Sequence, residues 1–374
     1  MDDDGRAPAD TVLGALQRGR GLGFRQAVAT RAADDLLSCL TSDPRWDRQT
    51  EERDAYHARL VVRLGIPIAA ITLDANDTDL RTGTAFGVLV ELARDGSTEA
   101  AASLLRYVES AAEPDWWTVE TVWEVTEAAG RDRLRDVVLD RILDDELDNV
   151  VTGRADSPWQ AWADHPRVAA ALARAPRPPL RVAPPDLRDR TSGQLVVVAT
   201  GPASSVRTAA FRELARRGDL VLLDVAERTG LRNRLGVVSS LAPAVTALGA
   251  AALPRARAWL DADDDWLRGL GQDVVCAHGS ADDGDMLLTW FDEAVAAGEW
   301  CATEQPAVGL GRLRHARARA SLREAWALNP HSYARRFYLP ALVRIDGAEA
   351  EVDEAGDDCE SAVRDLARAA RATR

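Results

Sequence analysis

Seven arginines, Arg312, Arg314, Arg317, Arg319, Arg323, Arg335 and Arg336, concentrate positive charge within an acidic chain. A guanidinium offers a planar fork of donors that fits carboxylate or phosphate, so this stretch suits an anionic partner better than any other. The alternative is that these arginines lie on solvated helix faces and pair with Glu324 and nearby acids. Asp261, Asp263 and Asp265 alternate like the first half of a calcium loop. The sixth position of such a loop is Trp266 where the turn demands glycine, and the twelfth is Gln272 where a bidentate glutamate is required. An acidic helix start is the better reading. Trp116 with Glu120 and Trp123 with Glu127 place a carboxylate one turn after an indole, and Trp159 and Trp162 follow. The acidic surroundings of 111–129 repel phosphate, which favours these tryptophans as core anchors. Gly19, Gly21 and Gly23 alternate, but no strand precedes them and their spacing is that of neither a Walker loop nor a dinucleotide fingerprint, so they predict a tight turn between helices.

His57, His165, His278, His315 and His331 share no ligand spacing, and Cys39, Cys276, Cys301 and Cys359 form no C-x-x-C pair. No Ser-His-Asp order, nucleophile elbow or Walker loop is present. These patterns assign no catalytic residue, metal or cofactor, and the cysteines are expected to be small buried apolar residues in a reducing compartment.

The whole chain constrains its partners further. The formal net charge is −14, and all 46 basic residues are arginine. That balance argues against broad nucleic-acid binding, which depends on neutralising phosphates. The N-terminus, MDDDGRAPAD, lacks the apolar core of a secretory signal, and no apolar run is long enough for a membrane helix. A cytoplasmic protein with a disordered acidic leader over residues 1–10 is therefore expected.

Positioning falls to helices. Residues 11–18 predict the first; a second carries Val28, Ala32 and Leu36, and a third covers 47–64 with His57 as a structural residue. The clearest hairpin places Ala85, Val88, Leu89 and Leu92 on one stripe, turns at Asp95 and Gly96, is capped by Ser97, and continues through Ala101, Leu104, Leu105 and Val108. Another pair spans 115–147 with a hinge at Gly130, and its turn recurs after about 34 residues, a helical-repeat period. A helix over 159–173 leads to a proline-rich linker at 175–185. The predicted regions are thus 11–174 and 186–374. Further helices are expected at 237–248, 253–260, 265–277 and 285–297, then two broken at Asn329 and Pro330, with Pro340 kinking the second, and a terminal helix.

Residues 200–225 admit two readings. LVVVA at 195–199 and LVLLDV at 220–225 flank a helix-like segment, and the whole resembles the opening of a short-chain dehydrogenase, with Asp224 where a cofactor ribose would be held. Of that family's Thr-Gly-x-x-x-Gly-x-Gly pattern only Thr200 and Gly201 are present, Ser205 and Arg207 replace the other glycines, and a chain without lysine cannot supply Tyr-x-x-x-Lys. The same letters, VRTAAFRELARRGD at 206–219, resemble the second helix of a HEAT-type hairpin, as does ESAVRDLARAA at 360–370. That resemblance covers about two thirds of the chain in sum and implies an all-α solenoid of stacked antiparallel hairpins, a non-catalytic scaffold or adaptor for a protein partner. Some HEAT-like proteins are alkylpurine DNA glycosylases that combine tryptophans with a carboxylate, which gives the second reading; an NAD(P)-dependent oxidoreductase is the third. Parallel strands at 195–199 and 220–225 would exclude the solenoid.

Overall fold

Both disputed valine-rich segments are helical. The structure, a computed structural model, describes residues 5–41, 50–73, 81–111, 116–151, 157–175, 186–201, 205–228 and 238–373. Among these residues every regular element is an α-helix or a short 3-10 turn. The strands required by a dinucleotide fold are therefore replaced by α12 and α14 below, which corrects the oxidoreductase reading of this stretch.

In chain order the α-helices are α1 (Val12–Gln17), α2 (Gly21–Thr30), α3 (Ala33–Thr41), α4 (Arg53–Leu64), α5 (Arg81–Arg94), α6 (Thr98–Ser110), α7 (Trp116–Val125) and α8 (Ala128–Arg141). Then follow α9 (Asp144–Val150), α10 (Pro158–Ala161), α11 (Pro166–Arg174), α12 (Ser192–Thr200), α13 (Ser205–Arg216), α14 (Val221–Glu227), α15 (Val238–Thr246) and α16 (Leu253–Trp259). The remainder are α17 (Asp265–His278), α18 (Gly284–Ala297), α19 (Glu304–Leu313), α20 (Arg319–Leu328), α21 (Arg335–Asp346), α22 (Glu349–Ala355) and α23 (Ser361–Ala372).

Local chemistry explains why LVVVA is not a strand. Thr191 and Gln194 form a reciprocal capping box at the start of α12, fixing the first turn. Leu195 and Ala199, one turn apart, are then fully buried, whereas Val197 between them is 71% exposed. A strand buried on both faces would not leave a central valine in solvent. Helical packing of α12 on α13 outweighs the strand preference of the three valines.

The chain divides into two compact units, one of residues 1–180, 330–333 and 351–374, the other of 181–329 and 334–350. The C-terminal residues 351–374, placed by sequence in the second region, thus cluster with the first. The proline-rich segment 176–185 lies outside the described residues, as do residues 1–4 of the acidic leader. Residues 5–10 differ from the predicted loose leader. The Ala7 N–H donates to Gln17 Oε1 at 2.8 Å, the Arg18 guanidinium donates to the Ala7 carbonyl at 2.9 Å, and Arg6 is buried.

In the first unit, α1 packs on α3, α3 on α5 and α5 on α7, while α2 packs on α4 and α6 on α8. The α5–α6 hairpin matches its sequence pattern, with the Ser97 hydroxyl accepting from the Ala100 N–H at 3.2 Å. The continuous second helix expected through Val28 and Leu36 breaks at Arg31, which adopts a left-handed conformation with φ 55°. The hinge expected at Gly130 lies instead at Thr126 and Glu127, and Gly130 sits inside α8. Likewise 159–173 is two helices, α10 and α11, each with proline in its first turn.

The alternating glycines serve close packing. Only Gly19 turns the chain, at φ 65°, and Gly21 opens α2. A Cβ at Gly21 would stand 1.9 Å from the Glu354 carbonyl oxygen, and one at Gly19 would stand 2.3 Å from the Cys359 Sγ. The bare backbone lets the C-terminal segment lie against α2, where Arg20 forms a two-pronged pair with Glu354 at 2.9 and 3.1 Å and the Cys359 N–H donates to the Gly19 carbonyl.

Beneath that contact lies a buried polar cluster. His331 stacks on Tyr333, and its imidazole pKa is pushed down to about 4, first by burial and then by the charges of Arg6 and Arg53. The folded pKa is below the ordinary value, so between about pH 6.5 and pH 4 the unfolded chain binds a proton that the folded chain refuses. Stability contributed around His331 should therefore fall as pH drops through that window. Urea unfolding at pH 7 and at pH 5 is expected to show a smaller difference for His331→Asn than for wild type. An equal pH difference in both proteins would refute this assignment.

In the second unit, alternate helices stack: α13 on α15, α15 on α17, α17 on α19 and α19 on α21. Intervening α16, α18 and α20 pack against α17, α19 and α21 respectively. Sequence periodicity placed α15 to α18 correctly, but the last part holds three helices, α19 to α21, where two were expected. Pro340 sits within α21. Each leucine or valine this packing takes from water contributes about 1.5–3 kcal/mol.

Candidate functional site

A cleft of about 660 Å³ opens in the second unit between α17, α18 and the start of α19, with Ala242 of α15 also in its lining. It follows from two parallel residue patterns. On α17, Trp266, Gly269, Leu270, Asp273 and Cys276 follow the i, i+3, i+4, i+7 spacing of one helix face. On α18, Trp290, Glu293, Ala294 and Ala297 do the same. The third wall comes from Glu299, the 3-10 turn Trp300–Thr303 and Gln305 with Pro306 of α19.

The helices hold these walls through their buried residues, of which Leu270 and Ala294 also line the cleft. Leu267, Leu270, Val274 and Val275 of α17 are buried, as are Leu287, Phe291 and Ala294 of α18. The Asp264 carboxylate accepts from the Leu267 N–H at 3.0 Å and fixes the start of α17. Phe291 meets Tyr338 edge-on, and the Tyr338 hydroxyl is joined by Thr303 and by Asn329, whose side-chain amide donates at 2.5 Å. That contact holds the turn before α19 against α21. Its burial pushes the Tyr338 hydroxyl pKa up to about 12, so it remains a neutral hydrogen-bonding group.

Four carboxylates, Asp265, Asp273, Glu293 and Glu299, line the cleft beside two indoles, and none of the described lining residues is basic. Burial desolvates Asp273 and pushes its carboxyl pKa above the usual carboxylate range. Cys276, buried beside it, is raised to about 12 by burial first and by the Asp273 charge second. A thiol with that pKa is not a nucleophile at neutral pH. The surface thus joins negative charge to flat aromatic area, which suits a cation carried on an apolar stem.

The seven arginines singled out by sequence do not line this cleft, nor do they form one open patch. Arg317 pairs with Asp285 at 2.7 Å, and His315 Nε2 lies 3.2 Å from the same carboxylate. Arg319 and Arg323 share Asp346 at 2.8 and 3.0 Å. Arg312 reaches the Cys276 carbonyl at 3.4 Å, and Arg314 is an exposed left-handed cap after α19. Arg335 is fully buried with its guanidinium 5.9 Å from the Trp326 ring centre, whereas Arg336 is exposed over Phe337.

The other singled-out residues have structural settings. Trp116, Trp159 and Trp162 form a chain of ring contacts at 5.7 and 5.5 Å within the first unit, and Arg131 covers Trp123 at 4.5 Å. His57 is buried within α4. Asp265 pairs with Arg268, and no group of three or more His, Cys, Asp or Glu among the described residues could hold a metal ion. Cys39, Cys276 and Cys359 are buried as expected, but Cys301 is exposed at the cleft. No helix among the described residues is long and apolar enough to cross a membrane.

Sequence inspection missed the cleft because Trp290 falls on the same helical stripe as Leu287, Phe291 and Ala294, which are buried, and spacing alone does not separate it from them. The available signal was the acid one or two turns after each tryptophan, Glu293 after Trp290 and Asp273 after Trp266. No known family, curated protein or solved structure matches this chain.

Proposed function

We propose that this chain is a non-catalytic binding platform of HEAT-like hairpins and that it holds a protein partner in the cleft between α17, α18 and α19. The stacking of every second helix from α13 to α21 supports the repeat reading, because such rows arise when hairpins that cannot bury their own apolar faces cover one another. One observation carries the functional reading: α17 and α19 of this row, with the intervening α18, present a cleft of about 660 Å³ with two indoles and four carboxylates on its walls. Concave, partly aromatic surfaces of this size are where proteins bind ligands. The DNA glycosylase reading fits this surface less well, since its carboxylates repel a phosphate backbone.

Gly269 gives a clean test. A Cβ there would meet no heavy atom within 4 Å, so a larger side chain can enter the cleft without touching the core. Gly269→Phe is expected to keep the helical circular dichroism of the wild type and to lose the proteins recovered with it by affinity capture from native cells. Recovery of the same proteins in the same yield would sink the platform.

A further inference from the structure

We propose that the occupant of the cleft is an arginine-bearing segment of the partner, with the guanidinium between the α17 and α18 walls. This rests on the platform reading above and adds the chemistry of the ligand. The argument begins with charge. Asp265, Asp273, Glu293 and Glu299 all face one cavity whose described lining holds no cation. Asp265 is partly answered by Arg268 from its own helix, but among the described residues no ion pair engages Asp273, Glu293 or Glu299. Asp273 is the costly member, because burial alone raises its carboxyl pKa. A positive ligand offsets that desolvation, whereas an apolar ligand that expels the remaining water would worsen it.

Aromatic placement then selects the cation. Trp266 and Asp273 are two turns apart on α17, and Trp290 and Glu293 one turn apart on α18, so each wall supplies an indole and a carboxylate. A planar guanidinium stacks on an indole while its edge donates in the ring plane to a carboxylate, and a compact ammonium does this less well. The Gln272 and Gln305 amides, also in the lining, can accept from a peptide backbone.

The test uses the full chain and a fluorescein-labelled Gly-Arg-Gly-Arg-Gly peptide, read by anisotropy, with a citrulline peptide of the same shape but no charge as control. The arginine peptide should bind and shift the indole emission, and the citrulline peptide should not bind. Asp273→Asn with Glu293→Gln should weaken binding about tenfold. Gly269→Phe, which leaves every charge in place, should abolish it; this separates the cleft from general attraction to an acidic protein. Equal binding of both peptides, or unchanged binding by the Asp273 and Glu293 double variant, would overturn the assignment. If Gly269→Phe loses the natural partners while the double variant keeps them, the platform stands and the arginine ligand falls. If Gly269→Phe keeps them, both fall.

Discussion

Arg53→Ala should lower the stability of the first unit by about 3–5 kcal/mol, the usual cost of removing one member of a buried ion pair. Arg53 has 0% exposure, and its guanidinium pairs with Glu51 at 3.0 Å, donates to the Gln17 carbonyl, and donates to the Pro330 carbonyl at 2.6 Å. Alanine at this site would take the Arg53 charge away from the fully buried Glu51 carboxylate and would strip two carbonyls of a donor. The same cluster holds the Glu52 N–H on Glu360 at 3.1 Å and the Ser332 hydroxyl on Glu360, so residues 16–20, 51–53, 330–332 and 358–360 meet there. Thermal unfolding is the measurement, with Arg53→Met, Glu51→Leu as the comparison. That pair removes both charges and keeps the volume, so it should recover the electrostatic part of the loss, while the Gln17 and Pro330 carbonyls still lack the Arg53 donor. If Arg53→Ala melts within a degree or two of wild type, the cluster is not what ties these segments together.

Sequence distance decided what could be read in advance. The α5–α6 hairpin was legible because all its determinants are local: two stripes, the Asp95–Gly96 turn and the Ser97 cap. Helices α16 to α18 were legible for the same reason. The break at Arg31 was not, since a left-handed arginine carries none of the signal that glycine would. Nor was the purpose of Gly19 and Gly21, whose neighbours Cys359 and Glu354 lie at the other end of the chain. The ion pairs of the arginine cluster were hidden in a related way. Charge counted along the sequence ignores carboxylates supplied by other helices, and Asp285 and Asp346 take up Arg317, Arg319 and Arg323. The cleft lay hidden because periodicity tells which residues share a face but not whether that face is covered.

The same reasoning separates two helix glycines that look alike in sequence. Gly269 and Gly311 both sit inside helices, where alanine is ordinarily preferred by about 1 kcal/mol. At Gly269 the space is open, so Gly269→Ala should stabilise the second unit by about 0.5–1 kcal/mol. At Gly311 a Cβ would stand 2.5 Å from the Ala341 Cα and 2.6 Å from its Cβ, a contact between the backbones of α19 and α21 that no rotamer change relieves. Separating these helices would also disturb the Leu310, Leu339 and Leu342 packing beside them, all essentially unexposed. Overpacking of this kind costs about 1–3 kcal/mol for a small group and exceeds the propensity gain. Gly311→Ala should therefore destabilise, and Gly311→Leu should destabilise more. Denaturant midpoints of opposite sign for the two alanine variants are the expected result. A stabilised Gly311→Ala would mean that α19 and α21 do not approach as closely as this packing requires, and the stacked row that carries the cleft would lose its support.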